Sequence, residues 1–401
     1  MEGTANYVPV IGYLSEILRD SDFTLVDIGC SGGIDGVWRR FGSRLRALAI
    51  DPNIEEIERL KSVETHSGIR YLAAFVGLPA NHPFALGKAE GRGYWGRNPW
   101  ERLSVVKSLE IMKSGAKLSK TEMLGANLWS EMQLSEESIV IPEYLRDRGI
   151  HSVDFLKIDV DGADFEILNS FDLALDNLGI LAVGIEINYF GSTCDTDHTF
   201  HNVDRFMKGR GFELFGLTIN RYSTAALPSR YLWHLPGRSE FGRPLQGDAL
   251  YVRDLASHDY DEFTAKLSTT KLLNLICIFA SFQLPDCAAE VALRFSDRLG
   301  SICDVERILN LLAAQAQGPT EKPLSYREYI GRFESHDPMF FTNSPPAPRV
   351  CESTLSNELA QVRRQLQHAR ERIVAMESSK FWKLRRSWFR LKRVMGLDGV
   401  E

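Results

Sequence analysis

No CxxC pair occurs in the sequence, and its six cysteines, Cys30, Cys194, Cys277, Cys287, Cys303 and Cys351, follow no framework spacing. Their pattern argues against a disulfide scaffold and a structural zinc site, and suits a reducing compartment. Long apolar runs are missing too: LLNLICIFASF at 272–282 is the longest, short of the roughly 20 residues a membrane span needs. The first apolar stretch, YVPVIGYL, follows Glu2 with no basic region before it and no small-residue cleavage site after it. A secretory leader is therefore not expected, and the chain is expected in the cytoplasm. Net charge is −6, yet from residue 349 onward twelve Arg or Lys face six Asp or Glu. The body is acidic and ill suited to nucleic acid; the end is basic.

What the chain does have is an ordinary globular composition, 44% hydrophobic and 25% charged over 401 residues, enough for a sizeable core. Apolar strand-like runs alternate with helical stretches up to residue 254: FTLVDIG (23–29), RALAIDP (46–52), IRYLAAFVG (69–77), DFLKIDV (154–160), ILAVGIEIN (180–188), FELFGLT (212–218) and DALYVRD (248–254). Seven strands in a βαβ rhythm predict an α/β fold with a doubly wound sheet over residues 1–254. A long stretch containing GRGYWGRNPWERL separates the third and fourth strands, and stretches of that length are usually functional or partly structured.

Helical patterns replace strands over 255–341, which predicts a small helical domain. A proline-rich linker follows at 342–350. Over 351–379, Leu355, Leu359, Val362, Leu366, Ala369, Ile373 and Met376 keep a 4-3 spacing, the seam of a coiled coil that would make the chain a homo-oligomer. The alternative is one amphipathic helix lying on the body. Residues 380–397 place Phe381, Leu384, Trp388, Leu391 and Met395 on one helical face beside seven Lys or Arg. That is the composition of a helix resting on an anionic membrane surface; a solvated basic tail and an RNA-binding patch are the other readings. Peripheral contact at the inner face of the membrane is the resulting expectation.

The first strand ends in VDIGCSGGIDG, residues 26–36, and the second ends in Asp51. Strand, glycine turn and helix start form the nucleotide site of doubly wound folds, because glycine admits left-handed backbone and close approach. A dinucleotide site reads GxGxxG around a pyrophosphate, whereas here the turn carries an acid, Asp27, followed by Gly29, Ser31 and Gly33. A carboxylate repels pyrophosphate and attracts an ammonium. Asp27, Gly29, Ser31, Gly33 and Asp51 are therefore the candidate binding residues for S-adenosyl-L-methionine, with Asp51 on the ribose. A merely structural turn is the plainer alternative.

FLKIDVDGADFEIL, at 155–168, places Lys157, Asp159 and Asp161 at the carboxyl edge of the fourth strand, which opens onto the same crevice. Asp164 and Glu166 suit the positive end of the helix that follows. Transfer of a methyl group to a hydroxyl needs a base. Asp159 is the first candidate, with Lys157 beside it and His198 and His201 as loop alternatives; Asp161 and Glu186 are candidate substrate contacts. Asp159 and Glu186 could instead hold a divalent cation, and no spacing requires one. His234 has a weaker claim as a base.

LKIDVDGADFEIL resembles the signature of FkbM-type methyltransferases, Lys-hydrophobic-Asp-hydrophobic-acid-Gly-x-acid. VDIGCSGGIDG with IDP, GIEINYF, DHTFHNVDRFMKGRGFELF and ALYVRD fit the same family, over roughly residues 20–254. The chain departs from it where Cys30-Ser31 replaces the frequent Ala-Asn and in the long insertion with YWGRNPW. The resemblance implies a class I methyltransferase fold, Rossmann-like, with strand order 3-2-1-4-5-7-6 and the last strand antiparallel. It also implies S-adenosylmethionine-dependent O-methylation of a sugar hydroxyl or a polyhydroxylated secondary metabolite. The C-terminal segments resemble tails of surface-polysaccharide enzymes, which implies a glycan acceptor. A non-catalytic scaffold of a glycan-assembly complex is an alternative of a different class; a nicotinamide-dependent oxidoreductase is disfavoured by Asp27 and the missing GxGxxG.

Overall fold

A computed structural model of the chain describes residues 8–77, 133–160, 162–191, 193–222, 239–318, 320 and 322–340. Asp161, His234, the YWGRNPW segment, the linker, the heptads and the basic tail lie outside the described residues. The chain divides into two compact units, one of residues 1–34 and 38–341, the other of 35–37 and 342–401. Of the second unit only 35–37 are described.

The strands are β1 (Phe23–Ile28), β2 (Leu45–Asp51), β3 (Ile69–Ala73), β4 (Phe75–Val76), β5 (Ser138–Ile139), β6 (Phe155–Ile158), β7 (Ala182–Asn188), β8 (Glu213–Leu217), β9 (Asn220–Tyr222) and β10 (Arg243–Val252). They form a main sheet of order β3-β2-β1-β6-β7-β10-β8. Pairing is parallel from β3 through β7, and β10 runs antiparallel to both its neighbours. In terms of the seven expected strands this is the order 3-2-1-4-5-7-6. The sheet reverses its winding between β1 and β6, the place where doubly wound folds open a ligand crevice.

Two details differ from the sequence reading. The third expected strand breaks at Ala74: β4 leaves the main sheet and pairs with β5, its Phe75 N–H donating to the Glu137 carbonyl. The last strand starts five residues earlier than DALYVRD, because Arg243, Pro244 and Gln246 pair with β9; a proline in that run disguises it as a turn.

The described residues contain thirteen helices: α1 (Pro9–Ile17), α2 (Gly36–Arg39), α3 (Ile54–Val63), α4 (Ile141–Asp147), α5 (Asp164–Phe171), α6 (Ala174–Asn177), α7 (Phe200–Gly209), α8 (Asp261–Ala265), α9 (Thr269–Ser281), α10 (Pro285–Arg294), α11 (Ser296–Leu299), α12 (Val305–Gln317) and α13 (Tyr326–Glu334). One face of the sheet packs Val26, Ile28, Leu48, Ile50, Leu156 and Ile158 against α4, α5 and α7. On the other, Phe155 meets Trp38 at 4.3 Å and Phe282, just past α9, at 5.5 Å between ring centroids. Residues 272–281 of α9 are all buried, so the longest apolar run of the chain is a core helix. Among the described residues no helix is long and apolar enough to cross a membrane.

The lower, N-terminal end of the sheet carries a charged network. Asp154, just before β6, accepts from Thr24 N at 2.7 Å, from Asn274 Nδ2 at 3.0 Å and from Lys271 Nζ at 3.0 Å. Lys271 also donates to the carbonyls of Val153 and Gly179, and Arg44 donates to Asn274 Oδ1. These bonds fasten α9 to the strand ends, and Asp154, Asn274 and Lys271 are tolerated in the interior because their partners are supplied.

Candidate active site

The site is built where β1, β2 and β6 end. Parallel register sets Asp27 of β1 beside Lys157 of β6, and Lys157 Nζ lies 3.1 Å from Asp27 Oδ1 and 3.5 Å from Asp159 Oδ2. It donates as well to the Gly29 carbonyl at 3.3 Å. Burial opposes the lysine charge, but Asp27 and Asp159 outweigh it and hold its pKa above the ordinary value. Exposure grades sharply across the triad: the Asp27 side chain is 3% exposed, Lys157 31% and Asp159 44%. Asp27 is thus an inner anchor of the turn, and Asp159 is the member most open to solvent.

The turn after β1 is dense with left-handed backbone, φ being +87° at Gly29, +87° at Gly32 and +90° at Gly33. A Cβ at Gly29 would sit 1.7 Å from the Asp159 carbonyl oxygen, so glycine is required there for β1 and β6 to end side by side. The turn's N–H groups are directed to its own support. Gly29 and Cys30 donate to the Ile50 carbonyl, Gly33 donates to Cys30, and Gly32 donates to Glu56 Oε1 of α3 at 3.0 Å. Ser31 is exposed at the tip. The Cys30 thiol is pushed up by burial and by Asp27 and Asp51, which keeps it an inert core group.

Asp51 closes β2, half-buried, with Oδ1 accepting from Asn53 N at 2.9 Å. Burial, with Glu56 and Asp27, pushes its carboxyl above the usual range, against the Asn53 amide and Lys157.

The remaining candidates separate by position. Glu186 is half-buried on β7. His198 is enclosed: its Nε2 donates to the Glu186 carbonyl at 2.8 Å, and its Nδ1 lies 3.5 Å from Asp164 Oδ2 and 3.4 Å from Asn188 Nδ2. His201 is exposed on α7, its Nε2 3.4 Å from Thr199 Oγ1. Among the described residues no group of three or more His, Cys, Asp or Glu is clustered as metal ligands would be. A cavity of about 1220 Å³ lies at the opposite end of the sheet, lined by Arg46, Arg70, Arg148, Asp154 and Lys271 among others; the candidate residues do not converge there.

Sequence reasoning missed three groups. Asp164, read as a helix-start charge, is fully buried, and its two oxygens accept from Val160 N and Gly162 N, each at 2.9 Å. Asn202 holds the loop before α7 through the carbonyls of Cys194 and Asp197. Glu56 occupies the Gly32 amide. Only Asp164 carried a signal, as the final acid of the Lys-Asp-acid-Gly-acid run.

Solved structures similar to this chain include magnesium protoporphyrin IX methyltransferase from Synechocystis PCC 6803 with bound SAH, at 8% identity and a TM-score of 0.26 over 61% of this chain and 80% of that one. A SAM-dependent methyltransferase from Aquifex aeolicus is similar at 8% identity and 0.26, over 61% and 89%. Precorrin-6y C5,15-methyltransferase from Geobacter metallireducens GS-15 is similar at 11% and 0.26, over 63% and 92%. Likenesses this distant do not bear on substrate or mechanism. No curated protein matches the chain. The Methyltransferase FkbM domain matches residues 107–214, a span that contains β6, Lys157, Asp159 and β7 and leaves the glycine turn outside.

Proposed function

We propose that the protein is an S-adenosylmethionine-dependent O-methyltransferase that methylates a sugar hydroxyl of a surface polysaccharide or glycolipid. The observation that carries this reading is the direction of the turn's hydrogen bonds. A pyrophosphate needs free N–H groups, and here those of Gly29, Cys30, Gly32 and Gly33 go to carbonyls or to Glu56. The acids around the turn suit a cationic ligand instead, and the match to the FkbM domain supports the same reading.

The residues fit that cofactor: Asp51 offers an oxygen to the ribose, and the field of Asp27 and Asp159 suits the positive methionyl end. Bound S-adenosylmethionine supplies an electrophilic methyl group. Asp159 accepts the proton of the acceptor hydroxyl as its oxygen attacks, and releases it to solvent through the exposed edge. Lys157 holds Asp159 in place, and Asp27 fixes Lys157 in turn. Glu186 and Asp161 are the proposed contacts to the acceptor's other hydroxyls. His201, exposed on α7, is the proposed alternative base.

Calorimetry tests the cofactor: micromolar binding of S-adenosylmethionine and S-adenosylhomocysteine is expected, and no heat from either, with folded protein, would end the proposal. Mass spectrometry of the surface glycan from a deletion strain tests the acceptor, through loss of a methyl increment. For the C-terminal segments we keep homo-oligomerisation through 351–379 and contact with anionic membrane through 380–397. Deleting 380–401 should abolish flotation with anionic liposomes, and equal flotation with and without the segment would refute the contact.

A further inference from the structure

The groups that flank the crevice on β6 and β7 are joined beneath it by one buried ring. Asp164 is fully buried at the start of α5, and both its oxygens are given to amides of the turn that follows β6, those of Val160 and Gly162. The same carboxylate lies 3.5 Å from His198 Nδ1, and the imidazole side chain is only 5% exposed. On its far side Nε2 meets the Glu186 carbonyl of β7 at 2.8 Å. A carbonyl can only accept, so Nε2 carries the hydrogen and the tautomer is fixed. The neutral ring then accepts at Nδ1 from Asn188, which is also on β7, and a protonated ring donates to Asp164, so the protonated form is the one that links the two strand ends.

Enclosure makes His198 a poor proton acceptor for a substrate that approaches from solvent. Its contacts run to the backbone that carries the candidate base on one side and Glu186 on the other. Asp159 is one residue before Val160, whose amide Asp164 holds. Asn202, at the start of α7, fixes the loop that delivers the ring, through the carbonyls of Cys194 and Asp197 at 2.8 Å each.

We propose that His198 is a positioning residue: through Asp164 and the Glu186 carbonyl it sets the separation between Asp159 and the β7 side of the crevice, where the acceptor hydroxyl must lie. The proposal rests on the methyl-transfer reading for its consequence in turnover, and on the contacts of His198 with Asp164 and the Glu186 carbonyl for its structural part. The two parts are tested separately, so failure of one is distinguishable from failure of the other.

The test compares wild type with His198→Ala and His198→Gln, the glutamine amide being able to donate to the Glu186 carbonyl. Amide hydrogen exchange is read at Val160 and Gly162, with the affinity for S-adenosylhomocysteine and steady-state turnover. In His198→Ala exchange at both amides should accelerate at least tenfold, turnover should fall roughly ten- to a hundredfold, as expected of a misplaced reacting group, and cofactor affinity should stay within about twofold. His198→Gln should recover part of both losses. Unchanged exchange at Val160 and Gly162 would overturn the proposal whether or not the wild type turns over any acceptor, and so would parallel losses of turnover and cofactor affinity. If His198→Ala does not fold, His198→Gln alone decides: exchange and turnover equal to wild type overturn the coupling, and intermediate values with intact cofactor affinity uphold it. If wild type methylates no hydroxyl acceptor while the exchange differences appear, the positioning contact stands and the methyl-transfer reading falls.

Discussion

The two ends of β6 carry the same kinds of charged residue in opposite circumstances. Below, Lys271 and Asp154 form a pair whose side chains are 12% and 3% exposed, and every neighbour is a carbonyl, an amide or a backbone N–H. Above, Lys157 sits between two carboxylates, one buried and one open. The titration of each lysine follows. Burial outweighs the single carboxylate at Lys271 and lowers its pKa, whereas two carboxylates overcome burial at Lys157 and raise it. A closed, saturated pair fastens elements together; a pair left with one exposed carboxylate keeps a group that can react. Charge on a strand therefore marks chemistry only where its satisfaction is incomplete.

Substitutions that exchange these roles test the comparison. Asp154→Ala should give the largest loss of stability, about 3–5 kcal/mol in urea unfolding, because it strands Lys271 in the interior. Cofactor affinity of the folded fraction should not change; a weakened affinity would mean that the lower pair also serves the site. Asp159→Asn should do the reverse, lowering turnover by about 10²–10⁴ with the unfolding midpoint nearly unmoved, since the side chain is 44% exposed. Undiminished turnover would remove Asp159 from the mechanism.

Lys157→Met is the intermediate case, since it touches both roles. Asp27 would be left buried beside an apolar chain, and about 2 kcal/mol should be lost, less than for a fully enclosed pair because Lys157 is 31% exposed. Turnover should fall as well, through the freed Asp159. A change in stability alone would place Lys157 with the fastening pairs and dissolve the contrast between the two ends.

Much of the upper end was legible in the sequence, because strand, glycine turn and acid lie close together there and their order implies one edge of a sheet. The turn at 26–33 and the run from Lys157 to Asp164 each declare their geometry within a few residues. The lower end was illegible for the opposite reason: Asp154 and Lys271 lie in separate elements far apart in the chain, and nothing in DFLKIDV or TTKLLNL announces a partner. Burial misled in the same way at His198, where a histidine among DTDHTF reads as an exposed loop group until the fold closes over it. Asp164 looked like a helix-start acid because a bond back to the amide four residues earlier leaves no mark on composition. β4 resembled a continuation of β3 for lack of any signal that its partner would be β5.

The smallest effect is expected at a third pair that lies between the two extremes. Glu64, at the end of α3, accepts from Arg39 Nη1 and Nη2, at 3.0 and 2.7 Å, and from the Tyr71 hydroxyl at 2.9 Å. The Arg39 bonds come first among the causes that hold its carboxyl at about 2 against an ordinary 4.5; burial opposes them, and the His66 amide and Tyr71 add to them. A depressed folded pKa means stability that is fully present above about 4.5 and drains away as pH falls towards about 2. Arg39 is 41% exposed, so solvent screens the pair and about 1 kcal/mol is at stake. Wild type should therefore lose stability more steeply than Glu64→Gln between pH 4.5 and 2, and the two curves should run parallel near neutrality. Parallel curves in acid would show that exposure of one partner cancels the pair, which would move the line between fastening and reactive pairs to a lower exposure than the two ends of β6 suggest.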